Sequence, residues 1–178
     1  MNTGLRLGEV CALRISDFDF MNNTVRVERG VQRVKLDGRW KTIVTAPKSE
    51  TSCRTVPIPE KVTEIIRRFI PKYRVSDELY LFTGKIDEPL CPRTCQHRFG
   101  SLLKRCGVRR RGFHTLRHTY ATRCIEKNID VKSISEILGH ADVLTTMRYY
   151  DHTSMDYKKR SAELVSTLND IDIPRACA

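Results

Sequence analysis

His114-Thr115-Leu116-Arg117-His118-Thr119-Tyr120, continued through Ala121, Cys124 and Ile125, reads as a helix with one apolar face and an unusual first turn. Leu116, Tyr120, Ala121, Cys124 and Ile125 recur at helical spacing and predict its buried face. His114 and Arg117 flank the first turn, where a helix leaves backbone N–H groups unpaired and carries positive partial charge. Such an end suits a phosphate group. His114 and His118 also have the i, i+4 spacing of zinc ligands. Thr115, however, stands where a zinc-hydrolase helix needs Glu, and no third ligand follows at useful spacing, so no metal is expected.

Working outward, Ile137-Leu138-Gly139-His140-Ala141-Asp142 closes a second helix, whose buried face is predicted from Val131, Ile134, Ile137 and Leu138. Gly139 ends it, His140 follows the cap, and Asp142 can N-cap the next helix. That helix carries Tyr149 and Tyr150 at its end, inside Thr145-Thr146-Met147-Arg148-Tyr149-Tyr150-Asp151-His152. Near the start, Thr3-Gly4-Leu5-Arg6-Leu7-Gly8-Glu9-Val10 sets Arg6 and Glu9 on one helical face, with Gly4 and Gly8 allowing close backbone approach. Lys48, in Pro47-Lys48-Ser49-Glu50, falls in a turn between strands, where a long side chain can swing over a ligand. Taken singly, each has a plainer reading: a surface Arg–Glu pair, a solvated lysine, packing histidines and tyrosines.

The segments between predict the architecture. Thr24 to Val27 and Val31 to Val34 have strand character, Asp37-Gly38 signals a hairpin, Trp40 to Val44 returns, and Arg54 to Ile58 reads as a third strand. One small three-stranded antiparallel sheet is expected between residues 24 and 58, after a first helix through Leu5, Val10, Ala12 and Leu13 and a loop beginning at Asp17 and Asp19. Val62, Ile65, Ile66 and Phe69 predict the buried face of a helix, followed by a loop-rich connector from Pro71 to Pro92 holding the apolar piece Leu79 to Phe82. Helices are expected near 94–106, 115–127, 131–139, 142–150 and 155–168, with Gly107 and Gly139 as C-caps. The fold class is therefore mainly α with a small antiparallel sheet (α+β) in the N-terminal third.

Composition narrows the function. The 178 residues suit one domain with a sizeable core, and no run of about eighteen apolar residues or signal-peptide start argues for a membrane span or secretion. Thirty-two Lys and Arg against twenty-one Asp and Glu give a net charge of +11, a field that attracts polyanions, nucleic acid above all. Seven irregularly spaced cysteines fit a reducing cytoplasm; Cys11 and Cys124 read as core thiols, and Cys91-x₃-Cys95 lacks the second half of a zinc site. The basic run Lys104, Arg105, Arg109, Arg110 and Arg111 reads as phosphate-backbone contact, against a plainer solvated loop.

Together these blocks resemble the catalytic domain of the tyrosine recombinases, the phage-integrase family. T-G-L-R-x-G-E, a turn lysine ahead of S-x-R, H-x-L-R-H-T, and L-G-H followed by Y-x-H appear in the family's order over residues 2 to about 160. The T-T-M-R-Y-Y-D-H-T-S stretch looks most like integrases of conjugative transposons and related bacterial mobile elements. The resemblance implies metal-free, nucleotide-free, cofactor-free type IB strand exchange on double-stranded DNA attachment sites. Arg6 and Arg117 would clamp the scissile phosphate, His140 would add a hydrogen bond, and Lys48 would protonate the 5′-hydroxyl leaving group. His114 would help accept the tyrosine proton, Glu9 would orient the site, and the tyrosine would form a 3′-phosphotyrosyl intermediate. Y-x-H selects Tyr150 as nucleophile, with Tyr149 the alternative; helical phase leans the same way, Tyr150 continuing a Val143 and Met147 face.

The family pattern also implies a synaptic tetramer, an excision factor as a further partner, and a bacterial cytoplasmic protein that joins the nucleoid when bound to DNA. Family members normally carry N-terminal core-binding and often arm-binding domains. The sequence starts close before Arg6, so a catalytic domain over 1–169 without them is expected, then a flexible tail over 170–178. The terminal helix can pack in cis or on a neighbouring protomer. Rival readings are a topoisomerase IB-like enzyme with the same chemistry and a truncated DNA-binding remnant without turnover.

Overall fold

The computed structural model describes residues 2–46, 53–70, 78–84 and 88–148, together with Met155, Lys159 and Glu163, which are helical. Lys48, Tyr149, Tyr150, most of the expected 155–168 helix and the 170–178 tail lie outside the described residues. The elements run α1 (Leu7–Ala12), a 3₁₀ turn (Ile15–Asp17), β1 (Phe18–Asp19), β2 (Thr24–Val27), β3 (Gly30–Leu36), β4 (Arg39–Thr45) and β5 (Arg54–Pro57). Then follow α2 (Glu60–Phe69), α3 (Pro92–Arg105), α4 (His114–Glu126), α5 (Val131–Leu138) and α6 (Val143–Met147).

The fold class is as expected, but the strands are shared out differently. The three-stranded antiparallel sheet is β1-β2-β5, pairing Phe18 with Val25 and Val25 with Val56, and β3–β4 is a separate two-stranded hairpin. Residues 18–19, expected in a loop, supply the third strand. The physical reason lies in burial. Val25, Val27 and Val56 can all enter one core, whereas the hairpin past Val31 has no buried face. Asp37 and Gly38, at φ 49° and 75°, turn that hairpin as their sequence predicts.

Two apolar clusters flank the site. Leu5, Leu13, Ile15, Val25, Val27, Val56, Ile58, Ile70 and Leu81 form one, beneath the sheet and α2. The connector's apolar piece joins it through backbone bonds, Ile15 N–H to the Leu79 carbonyl and Leu81 N–H to the Leu13 carbonyl. Ala121, Cys124, Ile125, Ile134 and Leu138 form the other, between α4 and α5. The chain packs on this second cluster at Gly4, one residue ahead of Leu5 of the first: a Cβ there would come 2.7 Å from both Leu138 Cδ2 and Tyr120 Cδ1. Gly8 lets α1 pack on β3, since a Cβ there would lie 2.6 Å from the Val31 carbonyl oxygen.

Helical phase departs from expectation in two places. In α2 Val62 and Ile66 pack on the first cluster as expected, but Ile65 and Phe69 face solvent, and Thr63, with Ile70 just past the helix, takes the buried places. In α6 Val143, Leu144 and Met147 are exposed and Thr146 is wholly buried, so the Val143–Met147 face gives no phase for the tyrosines. Cys11 and Cys124 are core thiols as read, and burial, with Cys95 and Cys91 nearby, pushes the Cys11 thiol up to about 12. No helix among the described residues is long and apolar enough to cross a membrane.

Candidate active site

The site is organised by the C-terminus of α5. A helix leaves its last carbonyls without intrahelical partners, and its dipole makes that end negative. Here Gly139, at φ 65°, turns the chain so that its own N–H meets the Glu136 carbonyl and His140 N–H meets the Ser135 carbonyl, each at 3.0 Å. The next three carbonyls each accept from an arginine on a different element. Arg54 Nε donates to Ile137 O at 2.7 Å, Arg117 Nη2 to Leu138 O at 2.7 Å, and Arg6 Nη2 to Gly139 O at 2.8 Å. Gly139 has a second reason to lack a side chain: a Cβ would fall 2.7 Å from Arg54 Nη1.

Glu9 supplies the matching anion. Its carboxylate accepts from Arg6 N–H at 2.7 Å and Arg6 Nη1 at 2.9 Å. Arg54 grips the same carboxylate with both Nη atoms, at 3.1 and 2.9 Å. Both partners of that second pair are nearly sealed, with side chains 7% and 9% exposed. Burial pushes the Glu9 carboxyl up, but the bonds and charge of Arg54, then the bonds from Arg6, outweigh it and hold it below its ordinary value. A buried, fork-paired carboxylate cannot turn away, so the orientation of Arg6 is set from two sides.

Arg117 is 3% exposed and replaces Leu116, only half-buried, as the inward residue of α4's first turn. Its Nη1 donates to the Gly4 carbonyl at 2.8 Å, tying α4 to the chain just ahead of α1. His114 is the exposed first residue of α4. His140 Nδ1 lies 2.7 Å from Thr146 Oγ1. Burial, then the charges of Arg117, Arg6, Arg54 and His114, push the His140 imidazole down to about 4, so it is neutral at neutral pH.

Of the residues singled out by sequence, the structure therefore gathers Arg6, Glu9, His114, Arg117 and His140. Lys48, Tyr149 and Tyr150 fall outside the described residues. Lys104 and Arg105 end α3, and Arg109, Arg110 and Arg111 continue in the exposed stretch leading to α4. None of the five gathered residues lines the cleft of about 550 Å³ between β4 and the start of α3, which has Lys41, Thr42, Cys91, Thr94 and Arg98 on its walls. Among the described residues no His, Cys, Asp and Glu group could hold a metal ion. Two participants escaped the sequence reading. Arg54 gave one signal, its place in S-x-R after the turn lysine; Thr146 gave none.

A pinned set of guanidiniums beside a neutral imidazole has the donors that a tetrahedral oxyanion would need, and it is carried on a small α+β domain. The family model for the phage integrase family matches residues 1–155, and the chain belongs to that family. It is 32% identical to a tyrosine recombinase XerC-like protein of Caldanaerobacter subterraneus subsp. tengcongensis, over 96% of this chain and 47% of that protein. The fold is that of tyrosine recombinase catalytic domains. A Tn1549 transposon integrase structure in complex with circular intermediate DNA superposes with a TM-score of 0.75 at 26% identity, covering 92% of this chain and 56% of that one. XerA recombinase superposes at 0.68 with 25% identity, covering 95% and 54%. The chain spans about half the length of the curated relatives it matches, 47%, 53% and 49% for three of them.

Proposed function

We propose that the chain is the catalytic part of a site-specific DNA recombinase, cleaving and rejoining strands during integration or excision of a mobile element. The observation that carries this is that Arg117 and Arg6 bond the consecutive carbonyls of Leu138 and Gly139 at the end of α5, directly ahead of His140. Their carbonyl bonds fix each guanidinium plane while its five N–H groups allow phosphate contact in addition. Negative charge builds on the phosphate oxygens in the transition state, and donors already in place stabilise it without reorganisation.

In this reading Tyr150 attacks phosphorus, the P–O bond to the 5′-oxygen breaks, and a 3′-phosphotyrosyl ester forms. His114 helps take the phenol proton and Lys48 delivers a proton to the leaving 5′-oxygen, so the step balances without metal or nucleotide. Glu9 acts by holding Arg6. Lys104, Arg105, Arg109, Arg110 and Arg111 contact the DNA backbone, which gives affinity that falls steeply with salt. Further protomers assembled on DNA, and an accessory factor for excision, belong to the same reading, as does work in a bacterial cytoplasm at the nucleoid.

The test is incubation with a nicked suicide DNA substrate in EDTA and without nucleotide, followed by a denaturing gel. A covalent protein–DNA adduct is expected. Activity that vanishes with chelator and returns with Mg²⁺ or Zn²⁺ overturns the mechanism.

A further inference from the structure

Thr146 has no solvent exposure, although it sits on a short helix whose apolar residues Val143, Leu144 and Met147 face outward. Its hydroxyl is 2.7 Å from His140 Nδ1. We propose that Thr146 is a positioning residue that donates its hydroxyl proton to Nδ1 and so fixes His140 as the Nε2–H tautomer. The tautomer follows from the hydrogen bonding alone; its effect on strand cleavage rests on the recombinase reading.

A buried hydroxyl has one proton and must place it on an acceptor. Threonines in helices commonly donate to the carbonyl four residues back, as Thr119 does to Thr115 at 2.8 Å and Thr122 to His118 at 3.1 Å. Thr146 does not: the Asp142 carbonyl takes the Thr145 amide, and the His140 ring is the Thr146 hydroxyl's partner among the described residues. An Nδ1–H ring would leave that hydroxyl proton without an acceptor among the described residues. An imidazolium, with protons on both nitrogens, is disfavoured by the burial and by the arginines packed around the ring. The Nε2–H tautomer leaves Nδ1 as the acceptor that the Thr146 hydroxyl needs.

The consequence is chemical. His140 is held at its backbone by the Ser135 carbonyl and at Nδ1 by Thr146, which leaves the ring's single proton on the opposite edge. A neutral Nε2–H donates to a phosphate oxygen without first having to lose or gain a proton. Second contacts of this kind on a functional histidine fix both ring plane and tautomer.

The experiment is nitrogen-15 NMR of the histidine-labelled 178-residue chain near neutral pH, alongside adduct formation on the nicked substrate. Wild-type His140 should show an unprotonated Nδ1 and a protonated Nε2. Thr146→Val, isosteric without the hydroxyl, should admit the Nδ1–H tautomer and slow adduct formation at saturating DNA by roughly ten- to a hundredfold. The half-saturating DNA concentration should not move, and Thr146→Ser should restore rate and tautomer. A wild-type ring carrying its proton on Nδ1 overturns the proposal, as does a Val variant whose ring stays wholly Nε2–H. A Val variant with altered tautomer and wild-type rate removes the positioning role. Should Thr146→Val fail to fold, the wild-type and Ser spectra still decide. The expected tautomer in a wild-type chain that forms no adduct would leave the assignment standing and remove the recombinase reading instead.

Discussion

The end of α5 and the β3–β4 hairpin hold the same kinds of side chain in opposite ways. At α5 the side chains of Arg54 and Arg117 are enclosed, and their partners lie 83 and 45, then 113 and 21, residues away in the chain. In the hairpin, Arg33 stacks 4.5 Å above the ring of Trp40, its near neighbour across the ladder, and Trp40 itself is 56% exposed. A buried cation must find fixed acceptors or it unfolds its surroundings; an exposed one is satisfied by water and pairs locally at little gain. Rigidity therefore concentrates where α1, β5, α4 and α5 meet, and the hairpin is tolerant of change. A site whose charges must be in place before the substrate arrives gains from the first arrangement.

The strongest way to break this contrast is Arg54→Ala. It leaves Glu9 buried beside an unpaired Ile137 carbonyl, and should cost about 3–5 kcal/mol of unfolding free energy by urea titration. Loss of less than about 1 kcal/mol would mean the pair is no better than a surface bridge. Arg117→Lys comes next. Lys keeps the charge but cannot fork, so adduct formation should slow by about 10²–10³ while stability falls by only about 1–2 kcal/mol. Near wild-type cleavage by a folded Lys variant would make Arg117 purely structural.

Acid sharpens the comparison further. The His140 value is depressed from 6.5 to about 4, so its contribution to stability is full above 6.5 and is lost as pH falls through that window. Glu9, also depressed, adds a second loss as pH falls below its ordinary 4.5. The melting temperature should decline on acidification from about pH 6.5, and His140→Gln should flatten the upper part of that decline. An unchanged profile in His140→Gln would assign the loss elsewhere. The smallest effect is expected from Trp40→Ala in the hairpin, about 0.5–1 kcal/mol from the lost cation–π contact. A loss comparable to that of Arg54→Ala would erase the distinction between the two regions.

Sequence made the helices and their caps legible because their signals are local. Asp142 accepts the amide of Leu144 at 2.9 Å, and Gly139 takes the left-handed turn its place foretold. The sheet was only half legible. Pairing Val25 with Val56 skips a whole hairpin, and nothing local marks which strand β2 will choose. Arg6, Glu9, His114, Arg117 and His140 could be singled out from sequence because they stand in compact blocks of recognisable spacing. Arg54 showed only as the last position of S-x-R and Thr146 not at all, because what distinguishes them is a partner: a carboxylate 45 residues away for one, a ring six residues back for the other.

In the proposed reaction Tyr150 attacks a phosphate bound at the end of α5. The most direct measurement is to trap the adduct, digest it with nuclease and protease, and locate the nucleotide-bearing tyrosine by mass spectrometry. The modification is expected on Tyr150, with its loss in Tyr150→Phe and its persistence in Tyr149→Phe. Modification of Tyr149 would shift the register by one residue, and a chain that binds the substrate yet leaves every tyrosine unmodified would contradict the claim outright.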